Sequence, residues 1–225
     1  MDKKNQGNLE ERYYAVRDQI AKLSQELNRR ITLVAVSKTK SVEEIEAVYR
    51  LGQRDFGENY VQELLEKAEA FSDRGISDIR WHFIGHLQRN KVKPLVQVVA
   101  FVHSVDSVKL ANEIGKRAET PIPILLEVNI DGEASKAGFH PAGLREAAQE
   151  VASISNIQLL GLMCIPKPAV DDKKSSFLRL AELKDQLGPL TQGLLSMGMS
   201  DDFESAIECG SDFVRVGSKI FGPRA

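Results

Sequence analysis

The sequence predicts an α/β chain folded as a single (β/α)8 TIM barrel with one extra helix at its N-terminus, and three observations carry that expectation. Short β-branched runs alternate with longer amphipathic stretches eight times along the chain, the pattern of a parallel sheet whose strands are each covered by a helix. A length of 225 residues, 42% of them hydrophobic, suits one large core better than two small ones. A doubly wound open sheet would place a Gly-rich turn after its first strand. Ser37-Lys38-Thr39-Lys40 stands there instead.

The elements follow in order. Leu9, Tyr13, Val16, Ile20, Leu23 and Leu27 recur at spacings of three and four, which predicts an apolar helix face over residues 8–28. Strands are expected at Ile31–Ser37, Asp55–Glu58, His82–Gly85, Val98–Ser104, Ile122–Ile130, Ile157–Met163, Gly193–Met197 and Asp212–Val216. Helical patterns occupy Ser41–Leu51, Tyr60–Phe71, Ser107–Ala118, Pro141–Ser153, Lys173–Gln186 and Ser200–Glu208, several opening on a capping residue. No linker or low-complexity segment divides residues 1–225, so one domain is expected. Asp131–Phe139, polar and Gly-containing after a strong strand, reads as a mobile loop.

Composition narrows the function. With 30 basic and 32 acidic side chains the net charge is −2, so no overall field draws nucleic acid or anionic lipid. An anionic ligand must be caught locally. Cys164 and Cys209 lack C-x-x-C or Cys/His spacing, which argues against a disulfide framework or a metal site. The charged N-terminus has no apolar core of a signal peptide, and no run approaches the roughly 18 apolar residues of a membrane span. A soluble protein of the reducing cytoplasm is expected.

In parallel barrels the working residues gather at the C-terminal ends of the strands. Lys38 directly follows the apolar run Leu33-Val34-Ala35-Val36. A lysine at the barrel mouth is partly desolvated, which frees its amine for Schiff-base formation with an aldehyde. Position alone equally allows a strand-end lysine that snorkels to water. The loops after strands seven and eight, where many such barrels hold a phosphate, contain Ser196, Gly198 and Ser200, then Gly217 and Ser218. Ser200 is placed to cap the following helix. One such loop would only mean tight turns; two at these ends point to phosphate.

Arg215 interrupts the apolar strand Phe213–Val216 and needs a buried partner. Asp212 or Asp106 could be a structural counter-charge, and a ring nitrogen or phosphate the functional one. A permanent cation beside a pyridine nitrogen would disfavour its protonation and weaken the ring as an electron sink. His82 reads equally as core or ligand contact, Asn59 as a ligand contact or a helix cap, and Met163 as barrel core. Lys40, Lys67 and Lys136 could line a basic approach to the mouth, or a second ligand site, or be solvated surface.

Five stretches together carry a family likeness: Val34–Lys40, Phe56–Glu63, Trp81–Gln88 with Asn90-Lys91, Leu195–Asp202 and Val214–Gly222. The chain resembles the pyridoxal phosphate homeostasis proteins over nearly its whole length, a family sharing its barrel with the N-terminal domain of alanine racemase. The resemblance implies pyridoxal 5′-phosphate (PLP) held covalently on Lys38 as an internal aldimine. It implies a phosphate among Ser196, Gly198, Ser200, Gly217 and Ser218, Arg215 near the pyridine nitrogen, and Asn59 and Met163 along the ring. Cys164 departs from a family pattern that has a small residue such as Ala there, which bears on ring packing and oxidation. The implied role is intracellular PLP homeostasis, with possible delivery to apo-enzymes and no assigned catalytic residue.

A racemase of this barrel type needs a second acid/base group from a β-rich second domain, and the sequence ends at Ala225, soon after strand eight. The reading is therefore a carrier, expected to be monomeric, rather than an enzyme. The alternatives are a slow PLP-dependent amino-acid racemase using Lys38 as its base, and a Schiff-base aldolase acting on a phosphorylated sugar.

Overall fold

The structure, a computed structural model, describes residues 3–133, 136–167 and 173–223. Eight parallel strands close on themselves in sequence order. They are β1 (Thr32–Val36), β2 (Asp55–Glu58), β3 (Arg80–Phe83), β4 (Phe101–Val105), β5 (Ile122–Glu127), β6 (Ile157–Met163), β7 (Leu194–Ser196) and β8 (Phe213–Val216). The barrel closes where β8 pairs with β1, Val34 opposite Arg215 and Ala35 opposite Val216.

Strand alternation sorts the side chains into two cores. Leu33, Ala35, Phe56, Trp81, Phe83, Val102, Leu162, Leu195 and Val214 face outward into the main apolar layer beneath the helices. Val34, Phe101, Leu125, Leu160, Met163 and Phe213 fill the barrel interior. His82, His103, Ser196 and Arg215 share that interior and are all buried. The interior is thus partly polar, and each of those groups needs a hydrogen-bond partner.

The helices are α1 (Lys3–Glu26), α2 (Val42–Arg50), α3 (Val61–Asp73), α4 (Val92–Leu95), α5 (Val108–Arg117), α6 (Leu144–Ala152), α7 (Lys173–Leu187), α8 (Phe203–Glu208) and α9 (Ser218–Phe221). The Ser41 hydroxyl accepts the Glu44 N–H and the Glu44 carboxylate accepts the Ser41 N–H, a capping box that fixes where α2 starts after β1. Helix α1 buries Leu9, Tyr13, Val16 and Ile20. Its Arg12 Nε donates to the Ile220 carbonyl at 2.8 Å, which ties the extra helix to α9 at the end of the chain.

The boundaries shift in places. Leu27, expected on the apolar face of the first helix, lies past its end and is exposed, the chain turning at Asn28 with φ 48°. The fourth strand begins at Phe101 rather than Val98, because the short helix α4 and its connection occupy the residues before it. That helix was not anticipated from Lys93-Pro94. Pro94 fits inside it only because the first N–H groups of a helix have no intrahelical acceptor to lose. Pro141–Gly143 forms a 3-10 turn before α6, and α8 begins at Phe203, three residues beyond Ser200. The expected loop Asp131–Phe139 includes residues 134–135, outside the described residues. Its flanks are fastened by the Asn129 amide, which donates to the Glu133 carbonyl at 2.7 Å and the Lys136 carbonyl at 3.2 Å.

Candidate functional site

At the C-terminal end of the barrel a cavity of about 250 Å³ is walled by the ends of β1, β2, β3 and β8 and by the loop after β7. Lys38, Asn59, Ser200, Arg215, Gly217 and Ser218 all line it, joined by Lys40, Ile84, Met199 and Phe221. Six residues expected at a ligand site therefore line one cavity. Lys38 is half-buried there, one residue beyond the fully buried Ser37.

The segment holding Lys38 is fixed from behind. The Lys67 ammonium, 5% exposed, donates to the Ser37 carbonyl at 2.7 Å, to Glu58 Oε1 at 2.7 Å and to Glu63 Oε1 at 2.6 Å. The Ser37 hydroxyl donates to the same Glu58 oxygen at 2.6 Å. Burial raises the Glu58 pKa, opposed by Lys67 and by the Ser37 hydrogen bond. Lys67 is therefore no part of a basic approach route; its charge is spent inside the protein. Thr39 follows with φ 64°, rare for a β-branched residue, and its N–H donates to Glu63. Local backbone strain thus sits beside Lys38, held by the carboxylate that Lys67 also binds.

The other two lysines are engaged as well. Lys40 donates to the Phe221 carbonyl at 3.3 Å and lies 3.6 Å from Glu44. Lys136 pairs with Glu133 at 2.6 Å and reaches the Ile165 carbonyl at 3.3 Å, and Ile165 is on the cavity wall.

The Ser/Gly cup differs in detail from the expectation. Ser200 does not cap α8, whose N-cap is Asp202. Its hydroxyl crosses to the turn after β8 instead and accepts the Gly217 N–H at 3.3 Å and the Lys219 N–H at 3.5 Å. The Ser200 and Ser218 hydroxyls line the cavity beside Gly217, small polar groups suited to phosphate oxygens. Gly217 is needed for close approach, since a Cβ would come within 3.2 Å of the Val36 side chain.

Gly198, Ser196 and Met163 lie away from the cavity wall. Gly198 has φ 90°, and a Cβ there would meet Ala206 at 2.5 Å; it makes the turn that seats the loop on α8. Met163 is fully buried among the interior apolar residues. Ser196, also fully buried, bonds Arg215 rather than facing the cavity.

Arg215 is 4% exposed. It takes neither carboxylate expected of it, because Asp212 pairs with Arg29 at 2.8 Å and Asp106 lies 3.2 Å from His86. Its Nη1 donates to Ser196 Oγ at 2.6 Å and its Nη2 to the Cys164 carbonyl at 2.9 Å. Burial lowers its pKa, yet guanidinium remains charged at any ordinary pH. The Cys164 thiol packs in the outer core, where burial pushes its pKa up to about 12. It touches the site through its carbonyl and is poorly placed for oxidation. Sequence reading missed His103, Thr39 and the Glu58–Lys67 pair; inward alternation on β4 was the available signal for His103.

A closed barrel with a lysine at the end of its first strand and a Ser/Gly cup after its last two strands defines a class. The sequence model described as alanine racemase, N-terminal domain, matches residues 12–225, and the chain belongs to that family. Within it, the chain groups with the pyridoxal phosphate homeostasis proteins. The protein of that name from Haemophilus influenzae is 37% identical over 229 residues, spanning 96% of each chain. The one from Aquifex aeolicus is 44% identical over 200 residues, spanning 85% of this chain and 86% of that one. Among solved structures, PipY of Synechococcus elongatus with PLP bound superimposes with a TM-score of 0.82 at 32% identity, over 95% of this chain and all of that one.

Proposed function

We propose that this chain binds PLP covalently through the Lys38 amine in the mouth cavity and serves intracellular PLP homeostasis, keeping the cofactor and passing it to apo-enzymes. The carrying observation is that Lys38, Arg215 and the Ser200–Gly217–Ser218 cup line one cavity. The residues fit the group chemically. An amine would meet an aldehyde, two hydroxyls a phosphate, and a guanidinium a pyridine nitrogen. Asn59 adds a buried Oδ1 with no hydrogen-bond partner among the described residues, an acceptor open to a ligand hydroxyl. Bound PLP supplies an electrophilic carbonyl carbon and a pyridine electron sink.

The chain's own residues favour holding over turnover. Arg215 lines the cavity and stays cationic, and beside a pyridine nitrogen that charge would disfavour ring protonation and so weaken carbanion stabilisation. Ser196 and the Cys164 carbonyl fix that guanidinium. Met163 packs in the barrel interior and Gly198 makes the turn that seats the loop after β7, and neither lines the cavity. We place the protein in the cytoplasm as a monomer; among the described residues no helix is long and apolar enough to cross a membrane.

Delivery is tested by mixing loaded protein with an apo-PLP enzyme while free PLP is trapped. Recovery faster than from equally trapped free PLP supports it, and equal recovery removes the delivery step. The slow-racemase alternative requires solvent deuterium at Cα of an amino acid incubated with loaded protein. The carrier reading expects none.

A further inference from the structure

Arg215 raises a question that its place in the cavity does not answer: how a fully charged group is kept inside the barrel on two neutral partners. Following its bonds inward gives a chain. Arg215 Nη1 lies 2.6 Å from Ser196 Oγ, Ser196 Oγ 2.8 Å from His103 Nδ1, His103 Nε2 2.8 Å from His82 Nδ1, and His82 Nε2 2.9 Å from Asp55 Oδ1. All five residues are buried, four of them 4% exposed or less. Asp55 and His82 line a second cavity of about 570 Å³ between the N-terminal ends of the strands, so the chain runs from one end of the barrel to the other.

The two ends fix the outer bonds, and a neutral His82 then fixes the middle ones. Guanidinium can only donate and carboxylate can only accept. Arg215 therefore donates to Ser196, and His82 carries its hydrogen on Nε2 toward Asp55. With His82 neutral, its Nδ1 accepts, so His103 donates from Nε2 and accepts at Nδ1 from the Ser196 hydroxyl. Ser196, His103 and His82 then each have one donor and one acceptor role filled. The reverse arrangement would need an imidazolium at His82 and would leave the Ser196 hydroxyl hydrogen with no acceptor in the chain. Burial lowers the His103 pKa well below its ordinary value, in keeping with a neutral ring.

We propose that His103 is a positioning residue for Arg215: through Ser196 it holds the guanidinium in place at the mouth, as the central link of a one-way donor chain that ends on the Asp55 carboxylate. The chain orients and does not conduct protons, because guanidinium at its upper end has no lone pair with which to accept one. Its floor end is anchored by Arg80, whose Nε donates to Asp55 Oδ1 at 2.7 Å. Phe101 and Phe213 seal its middle, with ring centroids 4.7 and 5.2 Å from His103. The chain itself stands on the protein's own geometry; only its effect on a ligand rests on the PLP reading above.

The test has two arms. In the apo-protein at neutral pH, two-bond ¹H–¹⁵N spectra of the imidazoles should show both His82 and His103 as the Nε2–H tautomer. A His103 protonated on Nδ1, or an imidazolium at His82, overturns the chain. In the second arm, His103→Phe removes the acceptor for Ser196, and His103→Asn restores one near the Nδ1 position. The Kd for PLP should rise about tenfold in His103→Phe, the loss expected of one hydrogen bond to a charged network, with a shifted visible band. His103→Asn should recover most of both. Equal behaviour of the two variants and wild type overturns the positioning role. Should His103→Phe fail to fold, Ser196→Ala read against His103→Asn makes the same comparison. Failure of wild type to bind PLP at all would sink the cofactor reading while leaving the tautomer result standing.

Discussion

Replacing Lys67 with Met should destabilise the protein by about 3 to 5 kcal/mol, the usual cost of removing one partner from a buried ion pair. The side chains of Lys67 and Glu58 are 6% and 0% exposed, so water cannot take over from the lost ammonium. Glu58 would keep only the Ser37 hydroxyl, with its Oε2 already lacking a partner among the described residues. Its carboxyl pKa, raised by burial even with Lys67 present, would rise further. A carboxyl whose folded pKa exceeds its unfolded value loses stability as pH rises, by up to about 1.4 kcal/mol per unit between the two values. The Lys67→Met deficit should therefore grow from pH 6 to pH 8. With a urea m-value of about 3 kcal/mol/M, it appears as a midpoint lowered by about 1 to 1.7 M. Adding Glu58→Gln should recover most of the loss and flatten the pH dependence, since an amide needs no counter-ion. A Lys67→Met midpoint within about 0.3 M of wild type, or a double variant worse than the single, refutes the idea that this pair holds the Ser37–Lys38 segment.

Three further outcomes follow from buried groups. His103 is held neutral, with a folded pKa far below the unfolded one, so stability should fall on acidification below about pH 6.5, by up to about 1.4 kcal/mol per unit. His103→Asn should show a shallower decline in thermal scans between pH 7 and pH 5, and an unchanged slope contradicts the buried neutral ring. Glu127 is pushed up to about 6, chiefly by burial and then by Asp106, from 4.5. Its contribution is lost as pH rises through about 6, so Glu127→Gln should stabilise at pH 8 by up to about 2 kcal/mol and have no such effect at pH 4. Cys164 and Cys209 are both buried and neither is in a disulfide, and burial pushes the Cys164 thiol up to about 12. Native protein should react with well under one equivalent of a thiol-modifying disulfide reagent at pH 8 while urea-unfolded protein takes up two, and rapid native modification of Cys164 contradicts its placement.

The fold was legible because each strand carries its own signal: β-branched runs separated by amphipathic stretches leave little choice but a parallel barrel. Boundaries blurred where local chemistry competes. Pro94 hid α4, since a proline inside a pattern normally argues against a helix. Ser200 resembled an N-cap, yet Asp202 takes that place and accepts the Met199 N–H at 2.6 Å. Lys38 could be read from its position after an apolar strand, and Arg215 from the cost of a charge inside one. The partners of both could not be read. Lys67 looks like any helical surface lysine until α3 folds it onto Glu58. Ser196 and His103, 93 residues apart, meet only because β4 and β7 aim them into the same interior. Pairings across a barrel depend on closure and register, which a local pattern does not encode.

The most direct test of the central claim is to add PLP to the purified protein, reduce with borohydride, digest and locate the label by peptide mass spectrometry. A yellow protein whose visible band disappears on reduction, with one phosphopyridoxyl group on Lys38, is the predicted result, and Lys38→Ala should abolish the label. A colourless protein, or a label that falls on Lys40 or Lys136 while Lys38 stays unmodified, would contradict the account.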